Sequence, residues 1–271
     1  MTELTKKERH LQDLRKYSLS DESLKSYLLQ NSNLPGKRGN IELAFSFGDF
    51  IEEIYASEKS RCFQYCLDLI SEYDENKNEY GNEEFLPFCA IIALGRIAKN
   101  NTNKQDEILV LLKGNAKDER WRIREAVAMA LQDLLDVYPS KIIDELKKWI
   151  SEKNYLIHRA IVAGLAEPRF MKNEDIAKVS FEIHKHIIRI VEDEKDVKDK
   201  DFNVLVKGLC YTLSVIITGI QDDGFDYLEE LANKKNPVVK KIVRENLKKN
   251  RLKLLNENKV SALQEKLSIT V

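Results

Sequence analysis

Glycine and proline are scarce in this chain, at 10 and 5 residues of 271, far fewer than the many tight turns of an all-β protein require. Cysteine is also thin, limited to Cys62, Cys66, Cys89 and Cys210. Cys62 and Cys66 stand about one helical turn apart, poor geometry for a disulfide, and there is no CxxC and no nearby histidine to make a zinc site. Reduced, mostly buried thiols are expected, with no metal and no cofactor. No stretch reaches about 18 consecutive apolar residues, which excludes a helical membrane span. The first ten residues, MTELTKKERH, are charged and offer no apolar run for a signal peptide, so a cytoplasmic protein is expected. Net charge is only −1, so any nucleic-acid function has to come from uneven distribution. No Ser/His/Asp arrangement or spaced carboxylate pair stands out, and His184 and His186, two apart on a helix, face different sides.

What the chain does contain is helix. Apolar residues make up 43% and charged residues 33%, arranged in Lys/Glu/Leu/Ile-rich tracts. The clearest stretch runs from Asp118 to Leu165. With Leu131 superimposed on Leu165, 34 residues on, Trp121 falls on Tyr155, Ile123 on Ile157, Arg124 on His158, Ala126 on Ala160 and Val127 on Ile161. Between them Ile142, Ile143, Leu146, Trp149 and Ile150 recur at helical spacing, which predicts a core helix. The same register extends to Leu94, Leu213 and Leu247 at steps of 37, 48 and 34 residues. Paired helices at such a period are the mark of a HEAT-like repeat. The fold class expected is all-α, a HEAT-like/armadillo-type α-α superhelix (solenoid) of about five to six helical repeats. Residues 1–57 are read as capping helices, 58–255 as repeats and 256–271 as a tail, all in one domain.

The strongest loop signal is NSNLPGKRGN. It carries Pro35, Gly36, Lys37, Arg38 and Gly39, and ends in Asn40, a candidate helix cap. A Gly-flanked basic loop feeding a helix N-terminus is a candidate anion site at Lys37 and Arg38. The same residues also suit a sharp turn with two solvated cations.

Charge is uneven along the chain. Asp49–Glu84 holds 11 acids against 3 bases, and Ala232–Lys259 holds 10 bases against 2 acids. Seven residues before the register leucine stand Arg124, His158 and Lys240; the other two units have Pro87 and Val206 there, the latter beside Lys207. A row of cations spaced by one repeat, about 10 Å from helix packing distances, can track a phosphate backbone. The competing reading pairs each cation with a carboxylate of the neighbouring unit. Arg120, Arg122, Arg159, Arg169, Lys207, Lys241 and Arg244 lie close in the pattern. Trp121 and Tyr155, at matching positions, can stack on a base or sugar, or close the edge of the core.

The segment from Ile123 to Asp133, followed by Pro139, Trp149, Arg159 and Glu167-Pro168-Arg169, resembles a repeat of the bacterial DNA-alkylation-repair proteins, the HEAT-like alkylpurine DNA glycosylases. The match covers roughly residues 110–170. The family repeat has a second Arg and an Asn-His pair where this chain has Glu125 and Met129-Ala130. The resemblance implies duplex DNA as partner; taken with the cation register and the paired aromatics, the candidate contact residues are Arg120, Trp121, Arg122, Arg124, Tyr155, His158, Arg159, Arg169, Lys207, Lys240, Lys241 and Arg244. The protein is then either a glycosylase releasing N-alkylated purines or a catalytically silent DNA-binding relative. The alternative class is a protein-interaction scaffold that grips a peptide.

Overall fold

The computed structural model describes residues 4–75 and 81–268, and among these every regular element is helical. The acid-rich stretch Asp49–Glu84 lies in part outside the described residues. Contacts divide the chain into two compact units, Met1–Tyr138 and Pro139–Val271.

The first unit opens with α1 (Lys6–Leu14) and α2 (Glu22–Gln30). Thr5 and Glu8 form a reciprocal capping box on α1, and the Asp21 carboxylate accepts the Ser23 N–H to start α2. Asn40 caps α3 (Ile41–Glu75) by accepting the Leu43 N–H, as its place after the Gly-rich loop suggests. Non-helical torsions at Glu58 kink α3, so it consists of two helical stretches joined end to end. Next come α4 (Phe85–Asn100), α5 (Thr102–Asn115) and α6 (Trp121–Leu135). α4 is apolar around most of its girth because it is surrounded: it packs on α2, α3, α5 and α6. A Cβ on Gly95 would sit 2.9 Å from the Ala130 Cα, so the α4–α6 crossing requires a glycine there. Beside it Arg96 bridges Asp133 at 3.0 Å and Asp49 at 3.4 Å, tying α4 to α6 and α3.

The second unit runs α7 (Pro139–Ile150), α8 (Tyr155–Leu165), α9 (Glu174–Asp193), α10 (Lys200–Ile217), α11 (Gln221–Asn233), α12 (Pro237–Leu247), α13 (Asn250–Leu255) and α14 (Glu257–Ser268). α10 packs between α8 and α12, while α9 lies against α7, α8, α10 and α12 and α11 against α10 and α12. Alternate helices side by side, with the intervening ones packed upon them, is the order of stacked helix pairs. The register leucines sit on the side-by-side helices: Leu94 and Leu131 on α4 and α6, and Leu165, Leu213 and Leu247 on α8, α10 and α12, all fully buried. The Asn246 side chain stitches two of these helices, accepting the Ser214 N–H and donating to the Leu209 carbonyl. The all-α, HEAT-like/armadillo-type reading therefore describes both units. Residues 257–268, expected as tail, form a packed helix instead. Val260, Leu263 and Leu267, at i, i+3 and i+7, share one face and are buried against α11, α12 and α13.

Candidate functional site

The register row of cations turns inward at two of its three positions. Arg124, His158 and Lys240 are each the fourth residue of their helix. Arg124 is 5% exposed and its Nη1 donates to the Asp118 and Glu119 carbonyls in the turn before α6. His158 is 2% exposed, and its Nε2 meets the Ile150 carbonyl that ends α7 at 3.0 Å. Burial lowers the His158 pKa from the ordinary histidine value, against hydrogen bonds that raise it. Arg244 plays a similar part, donating to the Leu267 carbonyl in α14. These side chains satisfy carbonyls at turns and helix ends, which have no intrahelical partner. Lys240 is half-buried on α12.

Other expected contact residues meet carboxylates. Arg120 bonds Asp118 through its backbone N–H and its guanidinium. Arg122 donates to Glu84 at 3.0 Å and to the Gly36 carbonyl at 3.1 Å. Arg169 pairs with Glu167 at 3.5 Å. Tyr155 hydrogen-bonds Glu194 and sets its ring edge-on to Phe202; burial and the Glu194 carboxylate push its phenol up to about 12. Trp149 is core, with its indole N–H on Glu145.

One step along the helix the picture changes in the second unit. Arg159, Lys207 and Lys241 each stand six residues before a register leucine, on α8, α10 and α12, and each reaches the surface. The stem of Arg159 packs over Gly208, where a Cβ would lie 3.3 Å from its Cγ. Tyr211, one turn beyond Lys207, is 45% exposed. The Arg251 guanidinium lies 4.9 Å from its ring centroid and the Lys249 ammonium 5.9 Å. Among the described residues no carboxylate lies within ion-pair distance of Lys207, Lys240, Lys241 or Lys249. The nearby Glu245 is bonded to Lys248, which holds its carboxyl below the usual carboxylate range. The second unit carries 25 Lys and Arg against 21 Asp and Glu, a net +4, while the first carries 19 against 24, a net −5. Sequence reasoning named Lys207 and Lys241 but missed Tyr211, Lys249 and Arg251; the i, i+4 step from Lys207 to Tyr211 was the available signal.

A second feature lies in the first unit. Arg38, Gly39, Ile41, Phe85, Phe88, Trp121, Arg122, Glu125 and Met129 enclose a cleft of about 240 Å³. The bond from Arg122 to the Gly36 carbonyl pins the basic loop to the first turn of α6. Two motifs that the sequence keeps apart, Lys37-Arg38 and Trp121-Arg122, thus meet at one place. Trp121 is 50% exposed, with the Arg122 guanidinium 4.8 Å from its ring centroid.

All four cysteines are free and buried, and burial pushes their thiols up. Among the described residues no three His, Cys, Asp or Glu side chains gather as a metal ion would require, and no helix is long and apolar enough to cross a membrane.

No protein-family model matches the sequence, and no curated protein matches it. Among solved structures the chain is similar to a designed armadillo repeat protein at 14% identity, over 83% of this chain and 98% of that one, with a TM-score of 0.28. The order of packed helices in each unit, rather than this likeness, carries the fold assignment.

Proposed function

We propose that the protein is a helical-repeat protein of the DNA-alkylation-repair kind that binds duplex DNA along the outward ridge of its second unit. The observation that supports this is the row Arg159, Lys207 and Lys241, one cation on each of three neighbouring helices, continued by Tyr211 with Arg251 and Lys249 at its ring. Neighbouring helices stand roughly 10 Å apart, about three base steps of 3.4 Å, so one cation per helix is spaced to meet phosphates along a strand. Ammonium and guanidinium groups supply the charge-assisted donors, and the Tyr211 hydroxyl is a further phosphate donor. Such contacts position the protein without reading sequence, so affinity should vary little between duplexes.

The test is fluorescence anisotropy with a labelled duplex. Micromolar or tighter binding that weakens steeply with salt supports the reading, and no binding at about 50 mM salt overturns it. Release of 3-methyladenine or 7-methylguanine from alkylated duplex then separates a glycosylase from a silent relative.

A further inference from the structure

We propose that the cleft of the first unit is a docking site for a partner protein, taking one large apolar side chain of an extended segment whose neighbouring carboxylate meets Arg38 and Lys37. At about 240 Å³ the cleft falls below the roughly 300–1,000 Å³ usual for small-molecule sites, and suits a single aromatic or branched aliphatic side chain. Its walls are apolar: Phe85 and Phe88 stack with centroids 6.0 Å apart, and Met129 closes the lining. Apolar surface continues past the rim, where Ile41 is 39% and Trp121 50% exposed, which gives a flanking peptide chain something to cover. Tryptophan is among the residues enriched at the hot spots of protein interfaces. Here it is already oriented, because Arg122 lies over its ring while bonded to Glu84 and Gly36.

Charge fixes the chemistry of the occupant. The Arg122 cation is balanced by Glu84, which is almost fully buried. Arg38 and Lys37 are exposed and, among the described residues, carry no carboxylate partner, so the uncompensated charge at this rim is positive. Glu125 in the lining disfavours an anionic anchor inside the cleft. The occupant is therefore an apolar anchor with the acid beside it. This site is separate in residues and charge from the proposed DNA ridge, and its failure would leave that reading standing.

The experiment pans a random peptide library displayed on phage against the full chain and measures the enriched peptides by anisotropy. The expected result is a motif of one large apolar residue next to Asp or Glu, bound at least tenfold more weakly by Arg38→Glu and by Trp121→Ala, both surface changes whose thermal melts should match the parent. Replacing the apolar anchor by Ala should abolish binding. Peptides without such a motif, equal binding by either variant, or no enrichment would overturn the proposal. So would duplex DNA shifting Trp121 emission where no peptide does, which would assign the cleft to nucleic acid.

Discussion

Arg251, on α13, lies over the ring of Tyr211, an exposed aromatic on α10, its guanidinium carbon 4.9 Å from the ring centroid. Tyr211 and Lys207 share one face of α10, one turn apart. Replacing Tyr211 by Ala should cost DNA affinity through a lost phosphate contact and a released Arg251, by about 1 kcal/mol or roughly fivefold. Anisotropy against the same duplex checks it, alongside a urea denaturation that should be unchanged within about 0.5 kcal/mol.

The inward cations should behave in the opposite way. Arg124→Ala removes a charged donor from two carbonyls in a buried place, which costs about 2–3 kcal/mol of stability. Lys207→Ala, at the surface, should cost less than about 0.5 kcal/mol. Urea midpoints of the two variants measured side by side test the distinction. A near-neutral Arg124→Ala would refute the carbonyl-capping role.

His184 gives the protein a pH-dependent stability. It is fully buried, its Nδ1 is on the Ser180 carbonyl, and burial lowers its pKa to about 4. Unfolded, the ring titrates near 6.5, so below that pH the unfolded chain binds a proton that the folded one refuses. Stability is complete above about 6.5 and falls as pH drops toward 4, by an amount on the order of 3 kcal/mol. His158, also held low by burial, acts in the same direction. Chemical denaturation at pH 7.5, 6 and 5 should show the decline, and His184→Leu should flatten it.

Two glycines should respond with opposite sign. At Gly95 a methyl would come 2.9 Å from the Ala130 Cα, and overpacking of about 1–3 kcal/mol outweighs the helix-propensity gain of roughly 1 kcal/mol. Gly114, on α5, has nothing within 4 Å of an added Cβ. Gly114→Ala should therefore stabilise by about 0.5–1 kcal/mol while Gly95→Ala destabilises, read as melting temperatures moving apart.

Periodicity made the helices and the five register leucines legible, because burying one stripe per helix is what each repeat needs to stack. The cap at Asn40 and the core place of Trp149 were legible for similarly local reasons. Which cation of a neighbouring pair faces water was not. One residue turns about 100° around a helix, so Arg124 and His158 point into carbonyl-lined corners while Arg159, one position on from His158, reaches the surface. The cleft was illegible for another reason. Its loop and helix wall meet through a bond between residues 86 apart, Arg122 and Gly36, which no local pattern encodes.

The central claim is that cations of the second unit meet DNA phosphates, and the salt dependence of binding tests it most directly. The slope of log K against log salt falls by about 0.9 for each phosphate neutralised. Contacts from Arg159, Lys207, Lys241, Lys249 and Arg251 predict a slope of roughly −4.5, reduced by about 1 in Lys207→Ala and again in the double variant with Lys241→Ala. A slope that neither substitution changes, or a chain that leaves duplex DNA unbound at about 50 mM salt, would contradict the account.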